Sequence, residues 1–449
     1  MSGLKAELLA PAGDLEKLKY ALAYGADAVY AGQPQFSLRA RENGFADIES
    51  IAQAMSYTQR QGKKFYLTSN ILPHNNKIRS FRDSLGLYIE LKPDALIMSD
   101  PGMIHWVRKN FPQQEIHLSV QANCNNWSTA QFWYEMGVKR IILSRELNMR
   151  EIREIRAQVP EVELEVFVHG AICMAHSGRC LLSNYMSYRD SNQGMCSNAC
   201  RLKYGLYVNN TPQSEDYIPL EGTFYLKAAE DNGSILRGDA SAGYMLIDED
   251  AYGTYIMNSK DMCALDHIQE LMEIGICSFK IEGRTKSLFY LSEVVAAYRG
   301  ALDDIAVGDP IHAVRRQKID RVESRGTMPG FSQPLRDSDS LPQNYTSTRV
   351  AGTGGKVAAF IRSYDRESKS ATISVRGQIK TGDLLECVSP DETTRIEAQN
   401  LINPLGKPVP KIDSGLENCK IFLPEDPGPF SYLVNLTPAL QVEGFKTSP

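Results

Sequence analysis

Glu7-Leu-Leu-Ala-Pro-Ala-Gly-Asp14, the stretch Leu15 to Tyr24, and Gly25-Ala-Asp-Ala-Val-Tyr-Ala-Gly32 read as a strand, a helix and a second strand. The run Glu7 to Pro11 is short and apolar. Leu15, Leu18, Leu22 and Ala26 then recur at helical spacing, with Asp14 placed as the N-cap and Gly25 as the stop. A short buried strand followed by a helix and another such strand implies parallel pairing, because the crossover returns the chain to the same edge.

The same unit recurs along the chain. Strand-like runs are predicted at Ala28 to Gly32, Lys64 to Asn70, Ala95 to Asp100, Ile116 to Asn123, Arg140 to Glu146, Leu164 to Gly170 and Ser278 to Arg284. With the first run they make eight, and that count favours a (β/α)8 TIM-type barrel over an open doubly wound sheet. Five of the runs begin apolar and end polar: Ser99-Asp100, Gln121 to Asn123, Ser144-Arg145-Glu146, His169-Gly170 and Glu282-Gly283-Arg284. In a barrel those ends share the active-site face, so polar residues gathered there point to a site. A single polar strand end usually just enters a solvated loop; five of them argue for more.

The domain reading that follows is a barrel over 1–314 with an insertion at 171–277, a linker at 315–349 rich in proline and polar residues, and a second unit at 350–449. In that last unit short alternating runs suggest a small all-β barrel. The middle of the insertion, Asn210 to Asp250, is rich in Gly, Ser, Asp and Glu and reads as a surface excursion. The 449 residues, 43% hydrophobic and 23% charged, suffice for a barrel and one smaller domain. The net charge of −5 does not advertise nucleic acid, so an RNA partner would have to meet a local basic patch. No apolar run approaches a membrane span, and no secretory leader is read at Met1 to Leu9. A cytoplasmic protein without a disulfide framework is the expectation for its nine cysteines.

Four of those cysteines form a constellation. Cys173-Met-Ala-His176-Ser-Gly178-Arg179-Cys180 is followed by Cys196-Ser-Asn-Ala-Cys200-Arg201, a spacing of Cys-x6-Cys-x15-Cys-x3-Cys. Thiolates so grouped suit zinc or an iron–sulfur cluster. The spacing lacks the paired knuckles of zinc ribbons, which favours [4Fe–4S]. Cys263 competes with Cys200 as the fourth ligand, and spacing does not separate them. A thiol protease using His169 or His176 beside Cys173 or Cys180 can also be drawn, although four clustered cysteines exceed what a nucleophile needs. Cys124, Cys277, Cys387 and Cys419 read instead as buried, inert thiols.

Glu165-Val-Phe-Val-His169-Gly-Ala-Ile-Cys173, Ser177-Gly-Arg-Cys180-Leu-Leu-Ser183 and Cys196-x3-Cys200-Arg201 resemble the motifs of peptidase family U-32, the collagenase-like peptidases. So do Leu9 to Gly13, Gly25 to Gly32, Ser119 to Asn123 and Lys280 to Arg284. The resemblance covers essentially the whole chain. Within the family the chain is most similar to the branch that hydroxylates bacterial tRNA, forming 5-hydroxyuridine at the wobble position in a prephenate-dependent way. The resemblance implies a [4Fe–4S] cluster on Cys173, Cys180, Cys196 and Cys200, with Cys200 the least secure. It also implies a C-terminal barrel suited to docking tRNA.

Base hydroxylation needs an electron-transfer or oxygen-activating centre. Arg145, Arg179, Arg201 and Arg284 are candidates to hold phosphate or the carboxylates of prephenate, each with a plain salt bridge as the alternative. Glu146, His169 and Glu282 are candidates for proton transfer, and Asp100, Gln121 and Asn123 for substrate binding. Three functions stay open on the sequence: a tRNA hydroxylase, a peptidase, and a non-catalytic RNA-binding module stabilised by metal.

Overall fold

The computed structural model describes residues 6–38, 40, 43–173, 176–197, 200, 259–331, 352 and 355–437, with short strand segments inside 207–254. Seven parallel strands come first: β1 Glu7–Pro11, β2 Ala28–Gly32, β3 Lys64–Thr68, β4 Ala95–Met98, β5 Ile116–Leu118, β6 Arg140–Ile142 and β7 Glu163–Ala171. After the insertion come β8 Asp261–Cys263 and β9 Ser278–Ile281. Strands β1 to β7 pair in sequence order, and β9 pairs in parallel with both β1 and β7. The sheet is therefore closed, and the eight-stranded barrel expected from the sequence is present.

Helices α1 Leu15–Ala23, α2 Ile48–Arg60, α3 Ile78–Glu90, α4 Pro101–Asn110, α5 Trp127–Glu135 and α6 Met149–Gln158 alternate with the first seven strands. A short α7, Leu182–Ser187, lies in the insertion; α8 Ile268–Ile274 and α9 Leu288–Ala306 flank β9. Most start on a side-chain cap that satisfies an otherwise unpaired backbone amide. Asp14 accepts from Lys17 N at 2.8 Å, Asp100 from Met103 N at 2.9 Å and Asn126 from Thr129 N at 2.8 Å. Each cap sits just past a strand's C-terminal end, so these short turns build the face on which the site lies.

β8 runs antiparallel to the end of β7, pairing Cys263 with His169, and parallel to β10, Thr327–Met328. The stretch read as a linker, 315–349, is not one at its start. Helix α10, Ala313–Asp320, occupies it. That helix lacks a broad apolar stripe and buries Ile319 alone, so periodicity does not reveal it. Ion pairs hold it: Arg315 to Asp304 at 2.9 Å and Arg316 to Asp266. Residues 332–351 lie outside the described residues.

The C-terminal unit is a six-stranded antiparallel sheet curled into a half-barrel. Its strands are β11 Lys356–Asp365, β12 Ser370–Val375, β14 Leu384–Val388, β15 Thr393–Glu397, β17 Cys419–Phe422 and β18 Tyr432–Asn435. They lie in the order β15-β14-β18-β11-β12-β17, and β13 Ile379–Lys380 pairs separately with β16 Lys411–Ile412. This sheet packs on α1 and α9. Tyr20 meets Phe360 and Phe430 edge-on at 6.0 and 5.4 Å, and Tyr432 donates to the buried carboxylate of Glu293.

Candidate active site at the barrel mouth

The barrel interior is charged from its base upward. Glu7, Arg140 and Ser278 open β1, β6 and β9, and Glu165 and Lys280 stand two residues further along β7 and β9. Arg140 contacts Glu7 at 2.5 Å, Glu163 at 2.8 Å and Glu165 at 3.3 Å. Tyr66 and Ser278 donate to Glu7 at 2.7 and 2.9 Å. Burial alone would raise the Glu7 carboxyl, but Arg140 and these hydroxyls hold it below its ordinary value. Lys280 donates to Glu165 at 2.9 Å. Its ammonium lies 4.4 Å from the centre of the Tyr30 ring. Burial lowers the Lys280 ammonium, against the pull of Glu165.

Above this layer opens a cavity at the barrel mouth. Tyr30, Ile97, Ile142 and Phe167 give it apolar walls, and Thr68, Asn70 and Ser119 give it polar ones. Arg145, Lys280 and Arg284 line it together with Glu282, the one carboxylate among the described lining residues. Tyr30 donates toward Glu282 at 3.1 Å and the Ile281 carbonyl at 3.0 Å, and its hydroxyl is raised well above ten by burial and then by Glu282. Arg145 lies 4.0 Å over the Phe167 ring and donates to the Ala171 carbonyl. Arg284 donates to the Leu38 carbonyl. The forked guanidiniums of Arg145 and Arg284, partly withdrawn from water, suit an anionic group bound between them.

The cysteine loop lies over this mouth, and Cys173 lines the cavity. Glu146, expected to transfer a proton, and Gln121, Asn123 and Arg179, expected to bind substrate, are found mooring the loop. Glu146 accepts from Ser177 N at 2.6 Å, Asn123 donates to Ser177 O at 2.8 Å, and Arg179 donates to Gln121 O at 3.0 Å. Gln121 is fully buried, its amide oxygen accepting from Ser99 at 3.1 Å. Gly178 has φ +74°, and a Cβ there would come within 2.7 Å of Gln121. The second cysteine segment is knitted to the first: Cys180 N donates to Asn192 at 3.4 Å and Ser197 N to Ser183 at 2.8 Å.

Two further expectations are corrected. Asp100 is the cap of α4, a local role that a polar strand end does not distinguish from substrate binding. His169 faces away from the cavity. The register between β7 and β9 slips, Lys280 pairing with Phe167 but Ile281 with His169, and this bulge turns His169 outward. It is buried against Tyr298, 3.3 Å from its hydroxyl, and burial pushes its imidazole down to about 4. Arg201 lies outside the described residues. Lys280, Glu165 and Tyr30 were missed. A lysine and a glutamate inside otherwise apolar strands were the signal.

No disulfide joins any of the nine cysteines. Cys124, Cys263, Cys387 and Cys419 are buried, whereas Cys173 and Cys196 are exposed and Cys180 and Cys200 half-buried. Cys263 faces Tyr298 at 3.8 Å and Arg316 at 3.1 Å, behind β7. Among the described residues no three His, Cys, Asp or Glu side chains are gathered as ligands of one metal ion. The donor chemistry nonetheless fits a thiolate-bound group: four accessible thiols on one hydrogen-bonded loop. No described helix is long and apolar enough to cross a membrane.

A closed barrel with a cationic cavity at its C-terminal face, roofed by a cysteine loop, has the form of a barrel enzyme. The chain belongs to peptidase family U32, whose model matches residues 13–340. It is 44% identical over 417 residues to the tRNA hydroxylation protein P of Escherichia coli (strain K12), covering 90% of this chain and 91% of that one. It is 42% identical over 412 residues to the protein of the same name from Haemophilus influenzae, covering 89% of each. It is 32% identical over 305 residues to the 23S rRNA 5-hydroxycytidine C2501 synthase of Escherichia coli (strain K12), covering 68% of this chain and 40% of that one.

Proposed function

We propose that this protein is an RNA-modifying enzyme that hydroxylates a pyrimidine base. The names of its relatives support hydroxylation of RNA. In its finer form the reading is conversion of the tRNA wobble uridine to 5-hydroxyuridine, with prephenate as co-substrate and a [4Fe–4S] cluster on Cys173, Cys180, Cys196 and Cys200. The observation that carries it is the meeting, at one barrel mouth, of a cationic cavity and a segment bearing four cysteines, none of them fully buried.

A bound cluster would supply one-electron chemistry that side chains lack. The chain's own residues would do the rest. Arg145 and Arg284, with Lys280 on the floor, suit the carboxylates of a small anion or a phosphate entering from the mouth. The apolar walls at Tyr30, Ile97, Ile142 and Phe167 suit a base removed from its stack, which an anticodon loop offers at little cost. Glu282, close to Tyr30, stands where a proton could be held. The peptidase reading finds no support, since His169 is turned out of the cavity and His176 is engaged with Asn123 at 3.3 Å.

The test is nucleoside analysis of tRNA from a deletion strain complemented with wild type, Cys180→Ser or Cys263→Ser, beside iron and sulfide assays on anaerobically purified protein. Wild type and Cys263→Ser should restore 5-hydroxyuridine and hold about four irons per chain. Cys180→Ser should do neither. Unchanged tRNA in the deletion strain would refute the RNA reading, and zinc in place of iron would refute the cluster.

A further inference from the structure

One residue on the mouth face stands apart from the site described above. Helix α7 ends on Tyr188, which takes a left-handed conformation with φ 54° and ψ 26°. Bulky side chains seldom adopt this region, and where they do the surroundings hold them there, often at ligand clamps. The backbone is fixed: Tyr188 N donates to Asn184 O at 2.8 Å and Arg189 N to Ser183 O at 3.4 Å. Just beyond, Asn192 N donates to Asp190 at 2.8 Å and Ser191 donates to the Cys180 carbonyl. Leu72 N donates to Asn192 O at 3.3 Å, tying the segment to the connection after β3. Yet the side chain of Tyr188 is 94% exposed, the most open of the large apolar side chains among the described residues.

Its surroundings are apolar and cationic together. Leu181 is 72% exposed, and Arg179 and Arg189 are exposed on the same loop. Among the described residues, Asp190 caps the turn and lies 3.9 Å from His74, and Glu146 takes the Ser177 amide. An aromatic ring held in water next to an exposed arginine, here Arg189, is the combination that binds unpaired nucleotides, stacking on a base while the cation takes a phosphate. A duplex has no free base face to offer.

We propose that Tyr188 is a stacking platform for an unpaired base beside the target base, with Arg189 taking an adjoining phosphate. This rests on the RNA reading above, and it makes a single-stranded loop the substrate class. The test uses the full chain and a fluorescently labelled stem–loop RNA, compared with a fully paired duplex of equal length, at fixed salt. Wild type should prefer the stem–loop. Tyr188→Ala should weaken stem–loop binding about tenfold, leave duplex binding and urea unfolding unchanged, and be rescued by Tyr188→Trp. Stem–loop binding by Tyr188→Ala as tight as wild type, or equal losses on loop and duplex, would overturn the inference alone. Failure of the wild type to bind either RNA would overturn the RNA reading and this inference with it.

Discussion

Replacing Arg140 with Met should destabilise the barrel by about 3–5 kcal/mol at neutral pH. The figure follows from what is left behind. Arg140 touches three carboxylates, but their losses are unequal. Glu163 is 30% exposed and has Lys139 at 3.3 Å, so it rehydrates at small cost. Glu165 keeps the Lys280 ammonium at 2.9 Å. Glu7 keeps only the Tyr66 and Ser278 hydroxyls and has the distant Lys64 at 3.8 Å. The cost is therefore close to that of one buried carboxylate stripped of its partner, and well short of three lost pairs. The assay is urea unfolding followed by tryptophan fluorescence. All three tryptophans, Trp106, Trp127 and Trp133, lie in α4 and α5, so the signal reports the barrel alone. The loss should also depend on pH. In wild type the lowered Glu7 contributes stability that is present above its unfolded value and lost as pH falls through its folded one. In Arg140→Met, burial without the cation raises that carboxyl, so folding takes up a proton and acid favours the variant. The gap should be widest near pH 7 and narrow below about pH 5. Adding Glu7→Gln should restore part of the stability. A loss under about 1 kcal/mol, a pH-independent loss, or a double variant weaker than the single would refute the reasoning.

Two more outcomes follow from single residues. Gly178→Ala forces a side chain into a left-handed position against Gln121, costing about 1–3 kcal/mol locally; limited proteolysis should cut faster within 173–200 while barrel unfolding stays unchanged. His169 is kept neutral by burial, with its pKa down to about 4 from 6.5, so the unfolded chain binds the extra proton. Stability should fall as pH drops from about 6.5 to 4, and His169→Phe should flatten that slope by up to about one proton, measured as unfolding free energy against pH.

The eight strands were legible because they are short apolar runs, several of them followed by a capping residue, as at Asp14, Asp100 and Asn126. The site was legible only in part. Arg145, Glu282 and Arg284 do line the cavity, since a polar residue past a strand end points there by alternation. His169 was misplaced because alternation fails at a bulge, and the bulge is set by pairing with β9, far away in sequence. Gln121, Asn123, Glu146 and Arg179 are polar at the mouth for another reason. They hold a loop whose backbone has no regular ladder of its own, and sequence does not distinguish a mooring from a binding group. Helix α10 escaped because ion pairs to Asp304 and Asp266 replace the apolar stripe that periodicity detects.

The alternation along β9 joins these observations. Ser278, Lys280, Glu282 and Arg284 succeed one another from base to mouth, each meeting a different partner: Glu7, Glu165, Tyr30 and the Leu38 carbonyl. At the base, Arg140 and Lys280 are balanced by Glu7 and Glu165, so those charges fix the strands to one another. At the mouth, the guanidiniums of Arg145 and Arg284 line the cavity with one carboxylate among the described residues, Glu282. Lys280 belongs to both layers, lining the cavity while held from below by Glu165. A ligand drawn by the upper cations therefore meets a floor already locked in place.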